Sequence, residues 1–435
     1  MNRRQVACSL AACLACTLQE QAHALDALTA QGVTIQPQLE TGLAYIDNTQ
    51  QGFGARTSFY GYPIDRNGAR WEGFVKGGAQ LTYPLTDGLL LKGKFNVVSS
   101  ANQGDSDGLG YTRDNPRDTD WDEAFISLER QQPLGPFDTA SISLGRVPYM
   151  IGDGFLIGDG QGTIDQGHQG GYWINPRKAF DQAAIVRLDS GGLRTELFAL
   201  QTRLDVDVAD YQERIRLRGL NLEYSIDDHD RLGATWMRAQ DDALDSRDGL
   251  TVSDLRFSTS PFTQLPGLSL AGEYAWQENH GQHAHAWYAQ GSYHFTDAPL
   301  TPELTYRYSV FSDTYDSLLY GYGGAWGTWI QGEIVGENML FNMNQKTHMV
   351  RLELHPHETL KVGVAAFDFR FYERPAGVSN DRFAREFNLY ADWAPDDHWS
   401  LGILYGRAAP QDGAGQYFAS QHTSNLLEAY ALYTF

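Results

Sequence analysis

Apolar and polar residues alternate along most of this chain with a period of two. In Met349–Leu354, Val350, Leu352 and Leu354 share one face while Arg351 and Glu353 occupy the other. Leu304, Tyr306, Tyr308 and Val310 alternate in the same way with Glu303, Thr305, Arg307 and Ser309. Successive side chains of an extended strand point to opposite faces, so this pattern predicts strands with one apolar face. The helical period of 3.6 hardly appears past residue 25. Counting such segments gives eighteen strands, centred near residues 39, 76, 94, 126, 143, 185, 197, 221, 235, 256, 273, 290, 307, 351, 365, 389, 403 and 429.

The connections between these strands sort by length. Tight, turn-rich pieces (Pro84–Gly88, Asp189–Gly192, Asp227–Asp230, Thr296–Pro299, His355–Glu358, Pro395–His398) alternate with longer ones such as Asp47–Gly68, Ala101–Thr119, Gly152–Arg177 and Asp313–Asn344. That alternation predicts an all-β transmembrane antiparallel β-barrel of about 18 strands, with short periplasmic turns and long extracellular loops. Closure follows from backbone chemistry, because in hydrocarbon every N–H and C=O needs an internal partner and only a closed sheet has no edge. The last segment alternates through Leu427, Ala429, Ala431, Tyr433 and Phe435 and resembles the signal read by the outer-membrane assembly machinery. Side chains from the wall cannot fill so wide a barrel, so the lumen holds water, folded-in loops or both, and an open lumen means transport.

Composition narrows the setting. Arg3 and Arg4, the apolar run Val6–Leu18 and Ala22-His23-Ala24 predict a secretory signal peptide over residues 1–24, with the barrel occupying 25–435. Cys8, Cys13 and Cys16 all fall in that leader, so the predicted mature chain has no disulfide to rely on. The 54 acidic residues against 33 basic ones, a net charge of −21, exclude a nucleic-acid partner, which needs basic stripes. An apolar content of 42% is too high for general disorder, and no apolar run is long enough for a membrane helix. The expected location is the outer membrane of a Gram-negative bacterium, with outer-membrane lipid around the barrel.

A charge facing lipid near the midplane costs about 2–4 kcal/mol, so the polar phase of each strand should face the lumen. That phase places Lys76, Lys92, Lys94, Arg187, Arg194, Arg256, Arg307, Arg351 and Arg370 inside, together with acids such as Glu40, Glu72, Glu123, Glu196, Asp254, Glu273, Asp368 and Glu428. Arg214, Arg216 and Arg218 break the rule, sharing parity with Leu220, Leu222 and Tyr224. They lie either on a strand extension beyond the membrane or after a bulge. The lumenal charges read either as a cross-linked lining or as a path for a polar or anionic solute, arginine supplying bidentate contacts to carboxylates.

Gly152-Asp153-Gly154 and Gly158-Asp159-Gly160 lack the nonapeptide spacing of calcium repeats and read as turns. The glycine-rich aromatic run Tyr320–Trp329 is a gate or sugar-stacking surface at the mouth, or else a packed outer loop. No HExxH spacing occurs, His283-Ala284-His285 reads as a tight loop, and His422 and Ser424 lack a third catalytic group. No metal, cofactor or enzymatic activity is therefore expected.

Three motifs resemble the alginate-export family of outer-membrane barrels. They are Trp121-Asp122-Glu123-Ala124-Phe125-Ile126-Ser127-Leu128, Leu144-Gly145-Arg146 and Asn175-Pro176-Arg177-Lys178-Ala179-Phe180-Asp181. The match covers about residues 115–200. The resemblance implies a channel passing a polar or acidic polysaccharide by passive diffusion, with periplasmic export components as partners. It implies Arg146 and Arg177 as polyanion contacts and Asp181 as their salt-bridging partner. The chain departs from the family in having more lumenal acids than bases and no long basic run. The alternative reading is a substrate-selective uptake porin for small sugars or organic acids.

Overall fold

The computed structural model describes residues 27–58, 61, 63–108, 110–160, 169–206, 211–227, 230–321 and 331–435. The leader expected at 1–24 and residues 322–329 of the aromatic loop lie outside the described residues. The first strands are β1 (Leu28–Ala30), β2 (Val33–Thr49), β3 (Asn67–Thr86), β4 (Leu89–Gly104), β5 (Arg117–Arg130), β6 (Thr139–Arg146) and β7 (Gln182–Ser190). Next come β8 (Leu193–Val206), β9 (Tyr211–Ser225), β10 (Arg231–Asp241), β11 (Thr251–Thr259), β12 (Leu268–Asn279) and β13 (Gln282–His294). The remainder are β14 (Glu303–Phe311), β15 (Gln345–His357), β16 (Leu360–Phe371), β17 (Arg382–Trp393), β18 (Trp399–Pro410) and β19 (Ser424–Thr434).

Each strand from β2 onward pairs antiparallel with the next, and β19 returns to β2 through a register running from Asn425↔Thr49 to Thr434↔Glu40. The result is a closed barrel of eighteen strands, each containing one of the predicted centres. The three-residue β1 is a hairpin extension paired only with β2. Alternation writes the burial pattern inside out. Trp71, Val75, Leu197, Trp236, Leu255 and Leu389 are exposed on the outer wall, while Glu72, Glu196, Asp254 and Glu386 are buried on the inner one. Such a surface is stable only where the outside is hydrocarbon, so the chain is a barrel of the Gram-negative outer membrane.

The rim carrying the short turns is the periplasmic one. The opposite rim carries the long connections, though the alternation is less strict than expected. β12 and β13 are joined there by only His280 and Gly281, both at positive φ, and His283 and His285 fall inside β13 rather than in a loop. His280 at φ +48 and Gly281 at φ +76 form this two-residue turn.

Two outer connections fold into the barrel. From the β6–β7 connection, Tyr149, Ile151, Phe155, Leu156, Ile157, Tyr172 and Phe180 pack on the inner faces of β7 to β14, burying Phe198, Leu217, Met237 and Phe311 with them. From the β14–β15 connection, Ile334, Val335, Met339 and Leu340 pack on the inner faces of β15 to β19 and β2, against Met349, Phe367, Phe369 and Leu404. These are the two apolar cores among the described residues, and both lie inside the wall.

Candidate functional site

Wall carboxylates hold the inserted loops by their backbone. Glu72 Oε2 accepts the amides of Trp173 and Ile174 at 2.8 and 3.0 Å. Asp122 Oδ1 accepts those of Lys178 and Ala179 at 2.8 and 3.0 Å. Glu386 accepts Ile334 and Val335 at 2.9 and 2.7 Å. Pairing two consecutive N–H groups with one carboxylate satisfies donors that would otherwise be buried without partners. Tyr149 and Tyr288 add side-chain ties, donating to Glu196 and to Asp153, each at 3.0 Å.

The two loops also touch each other. Gly158 donates its amide to Leu319 O at 2.8 Å and Gly321 donates to Gly154 O at 3.0 Å. This approach requires glycine, since a Cβ on Gly158 would stand 2.2 Å from the Gly321 Cα. The Gly-Asp-Gly repeats are therefore loop-to-loop contacts. Beside them Asp159 accepts Asn175 Nδ2 at 2.9 Å and Lys178 Nζ at 3.3 Å. Glu333 enters a pocket shared with Glu337, Glu386 and Glu428; burial and those carboxylates push its acid well above the ordinary range.

The periplasmic ends of β4 to β7 lie below both apolar cores on the inner wall. This arc carries polar residues in register. Lys92 faces Ser127, Ser127 faces Ser143, Glu129 faces Ser141, and Ser141 faces Arg187. Every cation here is held by an acid: Lys92 by Glu129 at 2.5 Å, Lys94 by Glu123 at 2.6 Å and Arg187 by Glu196 at 2.7 Å. Lys92, Lys94 and Arg187 remain 31%, 24% and 42% exposed, so they stay open to a passing solute.

The other expected lumenal cations divide. Arg256 stands on the inner face of β11 bridging Glu223 and Asp254 at 2.8 and 2.9 Å, Arg351 pairs with Glu303 at 3.1 Å, and Arg307 donates to Gln290. Arg194 pairs with Asp189 at 2.9 Å at the periplasmic rim. Lys76 faces inward but is nearly buried between Glu40 and Asp122. Arg370 is a correction. Its register partner is Lys346, in line with His348↔Asp368 and Val350↔Ala366 on the outer wall, while Phe367, Phe369 and Phe371 turn inward to meet the inserted loop. Apolar residues face in here because the interior itself is apolar.

Arg146 and Arg177 are displaced as well. Arg146 pairs with Ala124 in the outer-wall register of Leu144↔Ile126, and reaches Asp181 at 3.1 Å at the strand end. Arg177 is buried at 1% exposure among Ser100, the Val98 carbonyl and Asp118. Neither presents its guanidinium to the open arc. The sequence reading missed Asp122. A bulge opposite Asn96, between the pairs Phe95↔Ala124 and Val97↔Trp121, turns both Asp122 and Glu123 inward. The parity change from Trp121 to Ile126 and Leu128 was its visible signal.

This architecture, a closed eighteen-strand wall with loops folded into a charged lumen, is an outer-membrane β-barrel of porin-type fold. By sequence the chain matches no protein-family model and no curated protein. Solved structures with similar folds include several from Pseudomonas aeruginosa. OccK5 (OpdH) has a TM-score of 0.59 at 10% identity over 92% of this chain and 98% of that one. The outer membrane protein OprD gives 0.57 at 11% identity over 92% and 93%. OccD3 (OpdP) gives 0.56 at 11% over 96% and 97%. These neighbours are barrels of the OprD and Occ kind, not alginate-export barrels. The suspected kinship with the alginate-export family is thereby corrected, and with it the reading as a polysaccharide channel served by export components. The displaced Arg146 and Arg177 agree, since they do not line an electropositive constriction.

Proposed function

We propose that the protein is a substrate-selective channel for passive uptake of small polar solutes, small carboxylates foremost. The observation that carries this reading is the row of Lys92, Lys94 and Arg187, which stay partly exposed toward the periplasmic ends of β4 and β7. Fixed by Glu129, Glu123 and Glu196, these cations are preorganised to receive an anionic group without collapsing onto it. The serines between them supply neutral donors and acceptors for the rest of a small solute. The structural neighbours, substrate-specific uptake porins for small molecules, support the same direction. The chain then acts without chemistry, and its partners are the solute and the surrounding lipid.

The test is liposome swelling with purified protein, comparing small monocarboxylates with neutral sugars of similar size, alongside single-channel recording. Faster entry of the carboxylates and a modest anion preference are expected. Equal rates for charged and neutral solutes, or a cation-preferring pore, would overturn the reading.

A further inference from the structure

The outer wall of β8 to β10 carries a cluster of arginines. β9 keeps unbroken register with β8 and β10, so Arg214, Arg216 and Arg218 point outward without any bulge. Register sets Arg203 opposite Arg214, Gln201 opposite Arg216, and Arg218 between Ala199 and Arg238. Five guanidinium groups thus occupy three adjacent strands over three rungs, each rung about 7 Å from the next. Arg203 and Arg214 have carboxylate partners in Asp181 and Asp242, and Arg216 reaches only the Gln201 amide. Arg216, Arg218 and Arg238 have no carboxylate partner among the described residues.

The cluster sits low on the wall. Along β9 only Leu220, Leu222 and Tyr224 separate Arg218 from the periplasmic turn, whereas β3 presents Trp71, Val75, Ala79, Leu81 and Tyr83 before its turn. Two grooves open directly beneath. One, of about 680 Å³, is lined by Ala184, Val186, Leu197, Ala199, Leu220 and Trp236, with Arg218 and Arg238 at its edge. The other, of about 530 Å³, continues beyond Trp236 past Leu222, Leu255 and Trp276. Small residues in the wall, not a missing strand, make the first groove.

We propose that this face binds an acylated lipid of the outer leaflet bearing more than one phosphate, its chains in the two grooves and its phosphates on Arg216, Arg218 and Arg238. Paired arginine forks match phosphate oxygens, and a cation at the upper edge of an apolar groove is the complement of an anionic lipid. A second copy of this chain is a poor occupant, because it would set five arginines against five.

Native mass spectrometry of the full-length protein extracted in mild detergent tests this, using hexa-acylated bis-phosphorylated lipid A as the probe. The wild type should retain the lipid. The R216Q/R218Q/R238Q triple variant should bind at least tenfold less, with unchanged single-channel conductance reporting an intact barrel, since none of the three lines the lumen. Ala199→Phe, which fills a groove and leaves the arginines, should also weaken retention. Equal retention by the triple variant, equal binding of fully dephosphorylated lipid, equal protection by inorganic phosphate alone, or an oligomer that covers this face would each overturn the proposal.

Discussion

Arg247 donates from Nε and Nη2 to the two carboxylate oxygens of Asp316, at 2.8 and 2.9 Å. The pair ties the β10–β11 loop to the β14–β15 loop, and Glu213 of β9 joins it from the wall side. Burial pushes the Asp316 acid up, but the facing guanidinium outweighs it and holds the acid below the ordinary carboxylate range. Arg247 loses some of its charge preference to burial as well, and the facing carboxylates more than restore it.

A depressed acid contributes stability above its unfolded value and loses it as pH falls through the folded one. The contribution of Asp316 to the clamp should therefore persist from neutral pH down to the usual aspartate range near 4 and be lost only below it. Asp316→Asn should remove that acid-dependent step. Current noise recorded against pH in the wild type and the variant checks this; a difference between the two that vanishes already between pH 7 and 5 would contradict it.

Neutralising Lys92, Lys94 and Arg187 together to glutamine should lower the anion/cation permeability ratio by roughly two- to threefold, because wall acids then face the solute unopposed. Reversal-potential measurements in a salt gradient give the ratio. An unchanged value would mean that the passage does not run along this arc.

Arg177→Met should act on stability instead. The guanidinium is buried while its partner Asp118 is 39% exposed and can rehydrate, so the loss is chiefly the buried hydrogen bonds, on the order of 3 kcal/mol. A lower unfolding midpoint in detergent with unaltered selectivity is expected. Altered selectivity at full stability would place Arg177 in contact with solutes.

Glu386→Ala should leave two buried amides unpaired and loosen the Ile334–Leu340 packing, raising single-channel conductance or its fluctuations. Glu333→Gln, at an acid that burial and the neighbouring carboxylates push well above its ordinary range, should change neither conductance nor thermal stability. A Glu386→Ala channel that conducts like the wild type would mean the segment does not restrict the pore.

Strand number and placement were legible because lipid outside and water inside impose a two-residue rhythm on every span. The same rule misled at Arg370, where Phe367, Phe369 and Phe371 obey the rhythm but face an interior made apolar by an inserted loop. No local pattern announces such a loop, since its partners lie on distant strands. Arg146 was legible, sharing parity with Leu144 and Ile142, but the family resemblance outweighed that evidence. Short shared motifs near Trp121 and Arg177 reflect local demands, a bulge and a gripped loop, that unrelated barrels can meet alike. The outward arginines were noticed, yet their meaning needed the neighbouring strands.

Glu72, Asp122 and Glu386 recognise main-chain amides, which every residue except proline possesses. The wall is therefore indifferent to which side chains the gripped segments carry at those points. Mutation can rewrite the plug while its moorings persist, so new solute preferences are open to such a channel, by natural drift or in the laboratory, without rebuilding the barrel that houses them.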